Sequence, residues 1–163
     1  MIEIRRAGKN DGNGIARVLK ASYNMDSLEE GLKAFENECA KQYMFVVALI
    51  DGKIVGLTSY QIHGLPKHGL TELDRIAVLP EARNQGIGKK LFSYTVREAE
   101  DFYRKHNSRL RKIYLLTHSS NRNAQNFYEK LGLKKEAVLP DHFYKGEPEV
   151  VMSKFLFEKH QKK

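Results

Sequence analysis

The chain has 163 residues, with 28 Lys and Arg against 20 Asp and Glu, a net charge of +8. That length fits one domain, here 1–163, of the roughly 100–200 residues that can bury a sizeable core. The composition excludes collagen, low-complexity disorder and a disulfide scaffold, and the single cysteine, Cys39, excludes an internal disulfide or a Cys-rich zinc site.

The first residues, MIEIRRAGKNDG, lack the apolar run of a signal peptide. The longest apolar run, residues 45–50, is far short of the ~20 residues a membrane helix needs. The expectation is a cytoplasmic protein with no membrane partner. The cations are spread along the chain; only 109–112 and the tail 159–163 are locally dense, a helix end and a terminus. No basic helix with base-reading residues and no aromatic RNA-binding strand is present, so no nucleic-acid partner is expected.

In chain order, Ile2-Glu3-Ile4 alternates as a short strand. Ile15, Val18, Leu19 and Tyr23 form one apolar helix face. Ser27-Leu28-Glu29-Glu30 fits a capping box, with Glu30 reaching back to the Ser27 N-cap. Leu28, Leu32, Phe35 and Cys39 then stripe a second helix, which predicts a buried structural thiol at Cys39. Strands at 44–50 and 53–62 flank the hairpin turn Asp51-Gly52. A turn at 64–69 leads to a strand at 72–78, closed by Pro80. Ile87, Leu91, Thr95, Ala99, Phe102 and His106 mark a long helix. A strand at 112–117 and a short helix around Ala124, Phe127, Tyr128 and Leu131 follow, with Gly132 as the residue past its end. Strands at 134–139 and 149–157 finish the chain. The order β-α-α-β-β-β-α-β-α-β-β predicts a mixed α/β sheet built with hairpins, not a regular βαβ series.

The stretch from Ile76 to Leu91 reads as strand, tight loop and helix start. A first helical turn carries unpaired N–H groups and a positive dipole end, and glycines let an anion approach closely. The loop therefore suits a phosphate, with Arg83, Lys89 and Lys90 adding charge. It also reads as an ordinary turn. It is not a Walker A loop, because Lys90 follows Gly88-Lys89 where Ser or Thr is required. Nor is it the dinucleotide fingerprint, since Leu91 stands at the third glycine position.

Arg83-x-x-Gly86-x-Gly88 resembles the Gln/Arg-x-x-Gly-x-Gly/Ala motif of the GNAT superfamily of acyl-CoA-dependent N-acetyltransferases. A second segment, from Asn121 to Leu133, is similar to that family's Asn-x-x-Ala-x-x-x-Tyr-Glu-Lys-Leu-Gly-Phe signature, with Leu133 in place of Phe. The order of elements fits the family over nearly the whole chain. The resemblance implies a mixed, mostly antiparallel sheet splayed between two strands and flanked by helices, with acetyl-CoA between the strands ending near Val78 and His118. It implies that the main chain of Ile76, Ala77 and Val78 pairs with the pantetheine arm. The N–H groups of Arg83, Asn84, Gln85, Gly86, Ile87, Gly88 and Lys89 would hold the pyrophosphate. Asn121 would bond the pantetheine amides. Asn126 and Lys130, one helical turn apart, would reach the phosphates; both also read as a solvated helix face.

The resemblance gives Tyr128 the role of general acid. A tyrosine near pKa 10 is only ~1–2 units above a thiol, so it can protonate a departing thiolate. The residues alone also allow simple packing beside Phe127. For the base, Glu72 and Asp74 lie two apart on one strand face, as a proton acceptor or relay, or as an ion pair. His118, ending the next strand, is a further candidate. Tyr60, His142 and Tyr144 are candidates for the acceptor pocket. The six histidines show no paired metal-ligand spacing, so no metal is expected.

The expected function is acetyl transfer from acetyl-CoA to a primary amine by direct attack in a ternary complex, Cys39 lying in the wrong element for an acyl-enzyme. The alternative is a non-catalytic acyl-CoA sensor or interaction module, which has no use for a proton donor at Tyr128. Residues 140–147 with Val151-Met152 are similar to members acting on protein N-termini or ribosomal proteins, and 73–78 to the polyamine branch. A homodimer is left open.

Overall fold

The computed structural model describes residues 1–156. The basic tail 159–163 and the last residue of the strand predicted at 149–157 lie outside the described residues. The elements follow the predicted order: β1 (Ile2–Arg6), α1 (Gly12–Ser22), α2 (Leu28–Ala40), β2 (Met44–Ile50), β3 (Lys53–His63), β4 (Leu70–Val78), α3 (Ile87–Lys105), β5 (Lys112–His118), α4 (Arg122–Lys130), β6 (Lys134–Tyr144) and β7 (Glu147–Phe155). The strands form one seven-stranded sheet in the order β1-β2-β3-β4-β5-β7-β6. The pairings β1–β2, β2–β3, β5–β7 and β6–β7 are antiparallel. β4 and β5 run parallel and pair over Leu70, Glu72 and the residue between them, opposite Lys112–Tyr114. No helix among the described residues is long and apolar enough to cross a membrane.

The chain divides into two compact units. The first comprises Met1–Ile62 and Leu73–Ala99. Its core is made by Ile15, Val18 and Leu19 of α1, Val46 and Val47 of β2, Leu57 of β3 and Leu91 of α3, all fully buried. The β2–β3 turn is the one expected: Asp51 and Gly52 have φ of 49° and 74°, the left-handed pair a tight hairpin demands. A buried bond between the Thr58 and Thr95 hydroxyls, 2.6 Å, ties β3 to α3.

Helix α2 departs from the expected stripe. Ser27 Oγ accepts from Glu30 N–H at 3.1 Å, as predicted, but the Glu30 carboxylate accepts from the N–H of Asp26 instead of Ser27. The buried positions are Gly31 and Phe35, while Leu28 and Cys39 are exposed. The reason is close helix packing at Gly31: a Cβ there would come within 2.8 Å of the Ala16 carbonyl oxygen. That contact rotates α2 so that the Leu28 and Cys39 edge faces outward.

The second unit comprises His63–Glu72 and Glu100–Lys163. Tyr103, Leu110, Ile113, Leu115, Leu133 and Met152 fill its core. The Tyr103 hydroxyl donates to the Leu70 carbonyl at 2.6 Å, satisfying the one polar atom of a fully buried ring. His106 falls outside α3, which ends at Lys105. β6 runs five residues beyond the predicted 134–139, carried by the turn at Gly146 (φ 80°), whose N–H donates to Asp141.

Candidate active site

The glycine loop lies in the first unit. A short 3-10 turn, Pro80–Ala82, leads from β4 into residues 83–86, all exposed. Arg83 Nε donates to the Val78 carbonyl at 3.0 Å and closes the loop on its own strand. Asn84 and Gly86 have φ of 60° and 73°. The bond from Lys90 N–H to the Gly86 carbonyl, 3.1 Å, opens α3, so the N–H groups just before it belong to an unsatisfied first turn. A Cβ on Gly86 would meet nothing within 4 Å. The glycine is therefore required by its left-handed backbone, not by crowding, and its outer face is open to a ligand. Ile87 is buried and anchors the turn; Gly88 is half-buried and Lys89 exposed.

On β4 of the same unit, Ala77 is buried and Ile76 and Val78 are half-buried. The Ile76 carbonyl accepts a long bond, 3.4 Å, from the Tyr23 hydroxyl. Burial pushes that phenol up to about 12, and the Arg75 guanidinium stacks over its ring at 4.7 Å. Asp74 is exposed; its Oδ2 lies 3.4 Å from Ser59 Oγ and 3.5 Å from Arg75 Nε. Tyr60, a candidate for the acceptor pocket, is a core residue instead, 1% exposed, with its hydroxyl driven to about 12 by burial and by Glu98. Its apolar ring and neighbours on β3 outweigh its polar tip. A cavity of about 500 Å³ in this unit, lined by Leu32, Phe35, Met44 and Phe45, holds none of the predicted site residues.

The second unit gathers the other predicted residues. Glu72 Oε2 accepts from the Tyr114 hydroxyl at 3.1 Å and lies 2.6 Å from His63 Nε2. Neither partner was expected from the sequence, because His63 ends β3 and Tyr114 is apposed only through the parallel β4–β5 register. Asn121 is the N-cap of α4, its Oδ1 accepting from Ala124 N–H at 3.1 Å, which leaves its NH₂ as the group able to donate to a ligand. Asn126 and Lys130 are exposed and one turn apart on α4. Tyr128 is half-buried, its ring centroid 5.6 Å from that of Phe127. The buried Gln125 donates to the carbonyls of His118 and Ser119, at 3.2 and 3.0 Å, fixing α4 to the end of β5. Glu147 accepts from both Ser120 Oγ and N–H, which holds its carboxyl below the usual range. The His142 ring meets that of Phe143 edge-on, centroids 4.7 Å apart, and Tyr144 is 65% exposed. Among the described residues no group of three His, Cys, Asp or Glu could hold a metal ion.

Comparison with known proteins bears on the family and the fold. The model of the acetyltransferase (GNAT) family matches residues 13–133, which span both units. The chain is 30% identical over 129 residues to an N-alpha-acetyltransferase of Saccharolobus solfataricus, covering 72% of this chain and 73% of the relative. Among solved structures, the ribosomal-protein-S18-alanine N-acetyltransferase of Escherichia coli superposes with a TM-score of 0.78 at 19% identity, over 100% of this chain and 99% of that one. An aminoglycoside 6'-N-acetyltransferase complexed with coenzyme A gives 0.79 at 19% identity, over 96% and 98%. At these identities the superpositions speak for the fold.

Proposed function

Because the chain belongs to the acetyltransferase (GNAT) family, we propose that it transfers the acetyl group of acetyl-CoA to a primary amine by direct attack in a ternary complex. The observation that carries the reading is the loop at 83–89: an open Gly86 in the left-handed region, ahead of the first turn of a 19-residue helix. Its N–H groups and dipole end take the pyrophosphate of the cofactor. The main chain of Ile76, Ala77 and Val78, past the last β4–β5 pair at Glu72, takes the pantetheine amides as an added strand. The Asn121 NH₂ donates to the same arm, and Asn126 and Lys130 reach the phosphates.

Chemically, an ammonium must lose a proton to become a nucleophile. We assign that proton to a carboxylate, Glu72 first and Asp74 second, directly or through water. The amine lone pair attacks the thioester carbon, the C–S bond breaks, and Tyr128 Oη gives its proton to the sulfur. The relative named N-alpha-acetyltransferase supports an amine as acceptor. A sensor would need the loop but not the tyrosine.

Titration calorimetry of acetyl-CoA with wild type and Gly86→Val tests the loop. A β-branched side chain is strained at φ 73°, so binding should weaken at least about tenfold, about 1.4 kcal/mol. Unchanged affinity in a folded variant removes the loop from the cofactor site.

A further inference from the structure

His118 and Glu149 form a pair that the roles above leave unused. His118 is the last residue of β5 and stands directly opposite Glu149 of β7 in the antiparallel register. Glu149 is 2% exposed, while the His118 side chain is 43% exposed. His118 Nδ1 and Glu149 Oε1 lie 2.5 Å apart as an ion-pair contact that lacks hydrogen-bond geometry, and neither atom has a hydrogen-bonding partner elsewhere. The ring of Tyr144 on β6 lies 5.8 Å from the imidazole, and Glu147 carries the next nearby charge.

A carboxylate removed from water is costly unless it is paired. Here the one partner of its buried oxygen is an imidazole nitrogen. A nitrogen and a carboxylate oxygen this close repel unless a proton lies between them, so a small turn of the ring with Nδ1 protonated satisfies both atoms. In the neutral ring that leaves the lone pair on Nε2, the other nitrogen of a half-exposed side chain. Carboxylate behind, lone pair in front, is the arrangement of a proton acceptor held in one tautomer and one orientation. His118 also sits three residues before Asn121, whose N–H donates to the His118 carbonyl at 3.0 Å, at the root of the helix that carries Tyr128.

We propose that His118, oriented by Glu149, is a second proton acceptor of the acetyl transfer; this rests on the acetyltransferase reading above. The amine nitrogen sheds two protons in all. The first leaves the ammonium before attack and goes to the carboxylate. The second leaves the nitrogen as the new C–N bond forms, and His118 Nε2 takes it. The leaving sulfur takes one proton from Tyr128. The carboxylic acid and the imidazolium each release a proton to water and the Tyr128 phenolate regains one, so the cycle yields amide, thiol and one net proton. His118 is then a catalytic residue and Glu149 a positioning residue.

The test compares wild type, His118→Ala, His118→Gln and Glu149→Gln in steady-state thiol release with an amine that wild type acetylates, with and without added imidazole. His118→Ala should lose on the order of 10²-fold in kcat, keep its acetyl-CoA affinity, and regain rate with free imidazole. His118→Gln, the closer match in shape, should lose a similar factor, and Glu149→Gln less. Nitrogen NMR of the wild-type protein should show the His118 tautomer protonated on Nδ1. A rate within about twofold of wild type in both His118 variants, a loss that imidazole does not touch, or a bare Nδ1 each overturns the assignment while leaving the transferase reading intact. A wild-type protein that acetylates no amine overturns the transferase reading, and this assignment with it.

Discussion

Tyr128 was legible as a candidate from its place in the Asn121–Leu133 signature, yet in the fold it is a half-buried ring next to Phe127. Packing and chemistry separate under Tyr128→Phe, which keeps the ring and removes the hydroxyl. Stability and acetyl-CoA affinity should hold, while kcat and kcat/KM should fall together by roughly 10²-fold or more. Steady-state thiol release beside a direct acetyl-CoA titration reads both; equal turnover would return the residue to packing. Glu72 poses the opposite problem. Its Oε2 is already engaged by His63 and Tyr114, contacts that no spacing rule displays because they cross strands. As a base, Glu72→Gln should lower kcat by about 10²-fold at neutral pH and recover as pH rises; a pH-independent loss would mean that the carboxylate serves the His63–Tyr114 cluster alone. Asp11 carries a stability prediction. Its bond to Arg5, 2.7 Å, with help from the Gly8 N–H, holds its carboxyl below the usual range against an opposing push from burial. A depressed carboxyl stabilises the fold above its unfolded pKa of about 3.9 and loses that contribution as pH falls through the lower folded value. Urea titrations between pH 7 and 2 should therefore show a shallower acid loss for Asp11→Asn than for wild type.

Elements were read well where period and punctuation agreed. β2, with its turn at Asp51-Gly52, and the stop of α4 at Gly132 (φ 90°) follow from local residues. The orientation of α2 was not legible, because it is set by backbone contact at Gly31 against α1, a tertiary fact that overrides the apolar stripe. The extension of β6 was hidden for a similar reason: its added residues, 140–144, are all exposed and show no alternation, and they form a strand only through the turn into β7. Of the site, the loop and the α4 signature were visible as contiguous motifs. The His63–Glu72–Tyr114 and His118–Glu149 contacts were not, since each joins residues of different strands brought together only by the fold. Gln125 shows how an element is held in place: buried on α4, it spends its NH₂ on two carbonyls at the end of β5. Gln125→Ala should cost about 1–3 kcal/mol by leaving those carbonyls short of a donor, readable as a fall in the urea midpoint. An unchanged midpoint would mean that water replaces the amide.

At the scale of the molecule, the +8 charge does not select an acceptor. Exposed charges act over about 8–10 Å at physiological salt, so Glu72, Glu149 and Asp74 dominate their own surroundings while the net charge governs approach. The family match spans both units, and the central claim is that the whole chain performs acetyl transfer. The direct measurement is to incubate the purified protein with acetyl-CoA and, separately, small amines, polyamines, aminoglycosides and peptides with free N-termini, following free thiol and the mass of each acceptor. Acetyl transfer predicts thiol release that depends on one acceptor class and is matched by a single acetyl added to its amine. Tight acetyl-CoA binding with no acetylated product from any acceptor would contradict it and favour the sensor.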